Sequence, residues 1–477
     1  MPPPAWKADI DVTTSDLDRV LTGCRTAAAH WGSLSFGERE RQLRRWANEL
    51  ARSRADVIAT VREETGKPQA DAELELLVGL EHLTWSARHA GRTLRPRRVS
   101  PGILAAEHQA RVERRPLGVV GVIGPWNYPV LTPLGVLAGA LAAGNTVVFK
   151  PSEYTTETGR ALVEAFDRAN PESADVLRLL PGGAEAGEAL CRAGVDKVAF
   201  TGSTRTGQAV MAACADTLTP VVLECGGNDA LIVAEDADVR AAARAAAWGA
   251  FSNAGQTCAG VERIYVVQSV GEQFLAALTA ELAPVRAGHH YGRLTTPQQE
   301  KVVRVHVEDA AANGGRFLVG GPESFRGPGL VDPVVLTDVP EDRPAVQEET
   351  FGPVVVVRLV RDLDEGIARA NAVPQALGAA VFSRSADPSV ARRLRAGMVS
   401  VNGILTFAGV PGLPFGGNGA SGFGRVHGRE GLMEFTSAQA VTARRLHLTG
   451  SGLTRLRSPW WKHRALRALI RLRHGRD

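Results

Sequence analysis

Nowhere in its 477 residues does the chain hold an uninterrupted apolar run approaching the ~20 residues that a bilayer-spanning helix needs. Its opening, "MPPPAWKADIDV", has no charged n-region leading into an apolar h-region, so a cytoplasmic chain is the expectation. The five cysteines (Cys24, Cys191, Cys214, Cys225 and Cys258) are odd in number, scattered, and free of any C-x-x-C pair. That excludes a disulfide framework and a structural zinc, and each thiol is read as free, with no metal site expected. Neither G-x-G-x-x-G nor G-x-x-x-x-G-K-[ST] is present, and no internal repeat or low-complexity linker interrupts the chain. None of the eleven histidines lies in a motif that pairs it with Cys258, which speaks against a cysteine peptidase.

What is present is an ordinary globular composition, 44% hydrophobic and 22% charged, in a chain long enough for two or three domains. The net charge of +4 is uneven: Arg444 to Asp477 carries ten Lys/Arg against one acidic residue, so the remaining body is acidic. Nucleic-acid binding by the body is therefore not expected.

Residues 15–92 read as helices, beginning at a Ser15-x-x-Asp18 capping pattern and keeping apolar residues at helical spacing. A polar, punctuated excursion follows at 98–116. From Leu117 the texture changes to short Val/Ile/Phe runs ending in Gly or Ser, with helical stretches between them, which predicts a parallel sheet covered on both faces. A second α/β block starts after Gly227, so two doubly wound α/β lobes are expected.

Five stretches could carry chemistry. "KVAFTG" running into "STRTGQAVMAA" puts Gly202 and Ser203 at a helix N-terminus, where free amides favour an anion, although an ordinary glycine turn explains it equally well. "KPSE" places Lys150 and Glu153 at a strand's C-terminal edge, where α/β ligands collect or a strand end is simply solvated. In "LECGGND", Glu224 closes an apolar run before two glycines; desolvation there would suit a general base, and a turn-capping carboxylate is the other reading. In "NAGQTCAG", Cys258 lies in a Gly-flanked loop whose amides could face an oxyanion, yet free cysteines are more often inert. Asn127 in "GPWNYPV" is an amide donor of the kind that holds an oxyanion, or an Asn in a Pro-rich turn.

Taken in order and spacing, "GPWNYP", "KPSE", "FTGST", "LECGG", "NAGQTC", "EETFGPV" and "PFGGNGASGFGR" resemble the aldehyde dehydrogenase superfamily, from about Val20 to about Arg444. The resemblance implies Cys258 as nucleophile, Glu224 as base, and Asn127 sharing the oxyanion with the Cys258 amide. It implies NAD(P)-dependent oxidation of an aldehyde to a carboxylic acid through a thiohemiacetal and a thioester, without metal. Lys150 and Glu153 would contact the adenosine ribose, Gly202 and Ser203 the pyrophosphate, and Glu349 and Phe351 the nicotinamide ribose and ring. Glu153 would repel a 2′-phosphate, favouring NAD, while relatives with this glutamate also use NADP.

The family organisation implies a Rossmann-like cofactor domain (1–97 and 117–226), a catalytic domain (227–419), and a β oligomerisation element (98–116 and 433–447) that builds a homodimer or homotetramer. Trp126, Tyr128, Gly135 and Phe407 would border the substrate pocket. Gly135 and Val136 stand where well-studied relatives have Trp and Lys, which suggests a wider tunnel and one proton-relay partner fewer for Glu224. Asn228 replaces a common Lys. "ILTFAGVPGLPFGG" contains no Arg or Lys, which disfavours a carboxylate-bearing substrate such as succinate semialdehyde. The "SGFGR-x-HG" ending looks like relatives acting on apolar dialdehydes or long-chain aldehydes.

The tail, 448–477, reads as a basic amphipathic helix from Pro459, with Trp461, Leu469 and Leu472 on one side and Arg464, Arg467 and Arg471 on the other. Peripheral contact of 459–477 with the inner membrane face stands beside packing on protein or a disordered end. Three other readings remain at this point: a succinate-semialdehyde-type enzyme, a CoA-acylating dehydrogenase, against which Glu224 speaks, and a catalytically silent membrane-associated scaffold.

Overall fold

The helical lead-in forms four helices, Thr14–Ser33, Phe36–Arg52, Arg54–Thr65 and Gln69–Leu94, in a computed structural model that describes residues 14–102, 105–385, 388–445 and 460–475. The first helix starts at Thr14, so Ser15 falls inside its first turn rather than at its cap, the one-residue slip that frayed helix ends commonly produce. The second helix has the reciprocal cap that sequence spacing can encode: Ser35 Oγ accepts from the Glu38 amide, and Glu38 accepts from the Ser35 amide at 2.7 Å.

The apolar runs after Leu117 become a six-stranded sheet in the order Gly422–Phe423, Val221–Cys225, Lys197–Gly202, Val119–Ile123, Thr146–Lys150, Leu177–Leu179. Five of these strands are parallel, and only the two-residue edge strand Gly422–Phe423 is antiparallel. Val119–Ile123 and Thr146–Lys150 are buried at every position, which is why they read as continuous apolar runs rather than alternating ones. A second sheet has seven strands in the order Arg316–Val319, Val334–Thr337, Val354–Val360, Val261–Val267, Asp229–Val233, Gly378–Phe382, Met398–Val401, parallel except at its first pair. The fold is α/β with two parallel sheets, as the sequence pattern predicts.

Among the described residues the chain divides into two compact units, one made of residues up to Leu94 with Arg115–Ser437, the other of Arg95–Arg114 and residues from Ala438 onward. Both large sheets belong to the first unit. Most of the three-stranded sheet Arg97–Val99, His108–Pro116, Thr436–Arg444 falls in the second, and the polar excursion is a pair of antiparallel strands. The second unit also contains the helix Trp460–His474, which leaves Trp460, Trp461, Ile470 and Leu472 exposed. The tail residues before Trp460, Pro459 among them, lie outside the described part. No described helix is long and apolar enough to cross a membrane.

Candidate functional site

The first sheet's strand Val119–Ile123 ends in "GPWNYP", and the chain then enters the helix Leu131–Ala142, apolar except for Thr132. The amides of Val130 and Leu131 at that helix start donate to Glu75 Oε1 at 2.7 and 3.2 Å. A carboxylate at a helix N-terminus satisfies free amides and complements the dipole. Glu75 is buried with Lys67, whose Nζ donates both to Glu75 and to the Asn127 main-chain carbonyl at 2.9 Å. This buried ion pair fixes the loop that carries Asn127.

From the second sheet's side, the helix Val239–Phe251 stops and three residues in a row turn left-handed: Asn253 (φ 53°), Ala254 (φ 57°) and Gly255 (φ 71°). For non-glycine residues this conformation costs about 1–3 kcal/mol each. Hydrogen bonds hold it. Asn253 Nδ2 donates to the carbonyls of Asn127 (3.0 Å) and Gln256 (3.1 Å), Gln256 Nε2 donates to the Asn253 carbonyl (2.9 Å), and the Thr295 amide donates to Gln256 Oε1 (2.8 Å). Gly255 is required for space as well, because a Cβ there would stand 2.0 Å from the Gly352 carbonyl oxygen. The turn delivers Cys258 to the cavity described below. Asn127 Nδ2 donates to the Gln256 carbonyl at 3.0 Å, which engages one of its two N–H groups. Tyr128 shares a 2.9 Å hydrogen bond with Thr257, and Lys67 lies over its ring.

Glu224 is buried at the end of Val221–Cys225, and neither of its oxygens has a hydrogen-bond partner among the described residues. Burial holds its carboxyl well above the usual range, with Arg425 opposing. The two glycines after it are steric necessities: a Cβ on Gly226 would meet Glu349 Oε2 at 1.9 Å, and one on Gly227 would meet the Cys258 carbonyl oxygen at 2.4 Å. Glu349 accepts from the Gly227 amide at 3.0 Å, and burial, then the charge of Glu262, raises its carboxyl as well. Burial first, then Glu349 and Glu224, pushes the Cys258 thiol up. Cys24, Cys191, Cys214 and Cys225 are buried and free, and Cys258 is free and half-buried.

Next to this cluster the first sheet's strand ends form a cradle. Lys150 is buried, its ammonium disfavoured by that burial, with Glu153 Oε2 at 3.6 Å and half exposed. Ser203 caps the helix Thr204–Ala215, its side chain accepting from the Thr206 amide, and a Cβ on Gly202 would stand 2.5 Å from the Phe200 ring. A helix N-terminus, a glycine approach and a Lys/Glu pair at adjacent parallel-strand ends fit a dinucleotide, with the pyrophosphate at the helix and the ribose at the carboxylate. Phe351 meets Trp126 edge-on, ring centroids 5.5 Å apart, and its amide with that of Thr350 donates to buried Glu262. Burial pushes Glu262 up to about 7.

A cavity of about 590 Å³ joins these parts, lined among others by Trp126, Asn127, Tyr128, Gly202, Ser203, Glu224, Cys258, Glu349 and Phe351. Lys150 and Glu153 are not in that lining and sit farther along the strand ends. Two residues expected at the substrate pocket do not border it. Phe407 is buried behind the Cys258 loop with Ala259, Leu377 and Met398. Gly135 does not widen the tunnel: the His427 ring fills its place, with Nε2 2.2 Å from where a Cβ would stand. His427 lines the cavity instead.

Sequence reasoning gave no individual role to Lys67, Glu75, Asn253, Gln256, Glu262 and His427, although Asn253, Gln256 and His427 stand inside motifs quoted above. Glu262 had a signal, a charged residue inside the buried strand Val261–Val267, whereas Lys67 and His427 acquire meaning only through contacts distant in sequence. The buried pair yields a first prediction. Lys67→Met leaves Glu75 without its counter-ion and should lower unfolding free energy by about 3–5 kcal/mol, with Lys67→Met/Glu75→Leu recovering much of it. Urea titrations of the three proteins check this, and a single-variant loss below about 1 kcal/mol contradicts the assignment.

Comparison with known proteins supplies the family. Residues 8–441 match the model of the aldehyde dehydrogenase family. The chain is 39% identical over 429 residues to a 4,4'-diapolycopene aldehyde oxidase from Methylomonas sp, covering 88% of this chain and 80% of that one. It is 34% identical over 447 residues to a Mycolicibacterium smegmatis protein provisionally named an NADP-dependent succinate-semialdehyde dehydrogenase, covering 91% and 86%. Among solved structures, PnpE from Pseudomonas sp. WBC-3 superposes with a TM-score of 0.85 at 31% identity, covering 93% and 92%, and PnpE has also been solved with nicotinamide adenine dinucleotide. The chain belongs to the aldehyde dehydrogenase family.

Proposed function

We propose that the chain oxidises apolar, long-chain or aromatic aldehydes to carboxylic acids, with Cys258 as nucleophile, Glu224 as base and Asn127 as oxyanion donor. The observation that carries this reading is the meeting of all three in one cavity beside the dinucleotide cradle. Asn127 has an N–H left after its bond to the Gln256 carbonyl, and with the Cys258 amide it would hold the aldehyde oxygen as negative charge develops there. The Cys258 sulfur bonds the carbonyl carbon and its proton leaves, giving a thiohemiacetal on the protein. Bound NAD(P) supplies the acceptor for the hydride that this carbon gives up, which leaves a thioester. Glu224, having no partner to hold its proton, takes one from water as the water oxygen attacks the thioester; the C–S bond breaks, the thiol returns and a carboxylic acid leaves. Glu153 supports NAD over NADP through its carboxylate.

The substrate class rests on the cavity wall. Leu74, Val78, Leu131, Trp248, Leu405 and Phe415 contribute to the lining, which includes no Lys or Arg and does include Asp71. A substrate carboxylate would find no cation there. A homodimer or homotetramer is supported by the outer edge of Thr436–Arg444, which ends its three-stranded sheet.

The purified protein should form NADH with long apolar aldehydes at a higher kcat/KM than with succinate semialdehyde, followed by absorbance, and Cys258→Ala should retain less than about one part in a thousand of that rate. Activity surviving in the variant overturns the mechanism. Because burial raises the Glu224 carboxyl and the base must be ionised, kcat should climb with pH above the usual carboxylate range; a flat profile there contradicts the role of Glu224.

A second reading concerns the tail. The helix Trp460–His474 exposes Trp460, Trp461, Ile470 and Leu472 beside Arg464, Arg467 and Arg471, a combination that suits an anionic lipid surface. The full chain should pellet with anionic vesicles and release as salt rises, and a chain ending at Ser458 should stay in the supernatant. Equal, salt-insensitive recovery of both overturns it.

A further inference from the structure

His427 is the least explained side chain in the cavity. It is half-buried and borders the cavity, and its two ring nitrogens, both enclosed, have no hydrogen-bond partner among the described residues. Leaving a buried polar group unpaired destabilises a fold, and an imidazole has one donor and one acceptor to satisfy. Its position is nevertheless enforced. His427 is held at φ +62°, its ring lies on His82 at 3.8 Å between centroids and against Phe415 at 5.7 Å, and it takes the volume that the missing side chain of Gly135 leaves. His82 is committed elsewhere, bonding the Ala408 carbonyl through Nε2 at 2.9 Å. An apolar residue of similar size could fill the same space without an orphaned nitrogen.

The surroundings say what the nitrogens can meet. Leu131, Ala408, Phe415 and Val426 supply apolar cavity wall in this part of the lining, so a hydrocarbon chain has contacts and a lone polar atom on it has one partner. Phe415 packs on the cluster of Ala259, Leu377, Met398 and Phe407, as Cys258 does, and the imidazole lies against the Phe415 ring. Burial, then His82, keeps the imidazole neutral, so it can both donate and accept.

We propose that His427 is a substrate subsite: its imidazole hydrogen-bonds a second oxygen, hydroxyl or carbonyl, carried along an otherwise apolar aldehyde, and selects such chains over plain hydrocarbon ones. The inference rests on the reading of the cavity as an aldehyde site and adds to it a second recognition point besides the nucleophile.

The test compares straight-chain aldehydes of graded length with the same chains bearing a terminal hydroxyl or second aldehyde, in the full-length protein and in His427→Leu and His427→Asn. At the chain length that reaches the subsite, wild type should favour the oxygen-bearing chain by about tenfold in kcat/KM, expressed in KM rather than kcat. His427→Leu should erase that preference, so that the two series give the same kcat/KM, and raise the melting temperature, because it removes an unpaired buried group. His427→Asn should restore part of the preference. A wild type that never favours oxygen-bearing chains overturns the subsite while leaving the aldehyde reading intact. So does a His427→Leu that slows both substrates equally and melts lower, since that outcome assigns the ring to packing. Oxidation of neither series by wild type overturns the aldehyde reading and this inference together.

Discussion

The main-chain carbonyl of Asn127 is where the site is held together. It accepts from Lys67 on one side and from Asn253 on the other, so a loop at the end of the first sheet and the turn that carries Cys258 share one acceptor. The Asn127 amide returns the contact to Gln256, closing a ring of hydrogen bonds around two strained residues. Each such bond contributes about 0.5–1.5 kcal/mol, the same order as the backbone strain it offsets. The geometry in which the proposed nucleophile, Cys258, and the proposed amide donor, Asn127, come from opposite sheets is thereby fixed before any ligand arrives, and preorganised donors are those that lower a barrier.

Around that ring the chain gathers acidic groups with little to neutralise them. Glu224, Asp229, Glu262 and Glu349 are all raised by burial, and the Cys258 thiol rises with them. Desolvation is the dominant cause in each case, so the site at rest favours its uncharged forms. The same dryness suits a thioester intermediate, which survives only if water reaches it under the control of the base. Gly226 and Gly227 make the crowding feasible by leaving room for Glu349 and for the Cys258 main chain.

Much of this was legible beforehand. The two parallel sheets follow from continuous apolar runs, because strands buried on both faces cannot alternate, and Val119–Ile123 is such a strand. Cys258, Glu224 and Asn127 were found through ordered motifs, since each alone has a bland explanation. The segment 98–116 offers no apolar pattern, so its own residues read only as an excursion, and its β character was expected through the family resemblance alone. Gly135 misled. Removing a side chain predicts space only if nothing else moves in, and His427, 292 positions later, fills it. Long-range substitution of that kind has no local signature.

The central claim is a covalent route in which Cys258 holds the acyl group and Glu224 releases it. Its most direct measurement is intact and peptide mass spectrometry of Glu224→Gln mixed with NAD and a long apolar aldehyde. The account predicts a single burst of NADH and an acyl adduct confined to the peptide that contains Cys258, its mass that of the aldehyde less one hydrogen replacing the thiol hydrogen. A burst without an adduct, or an adduct on another residue, would contradict it.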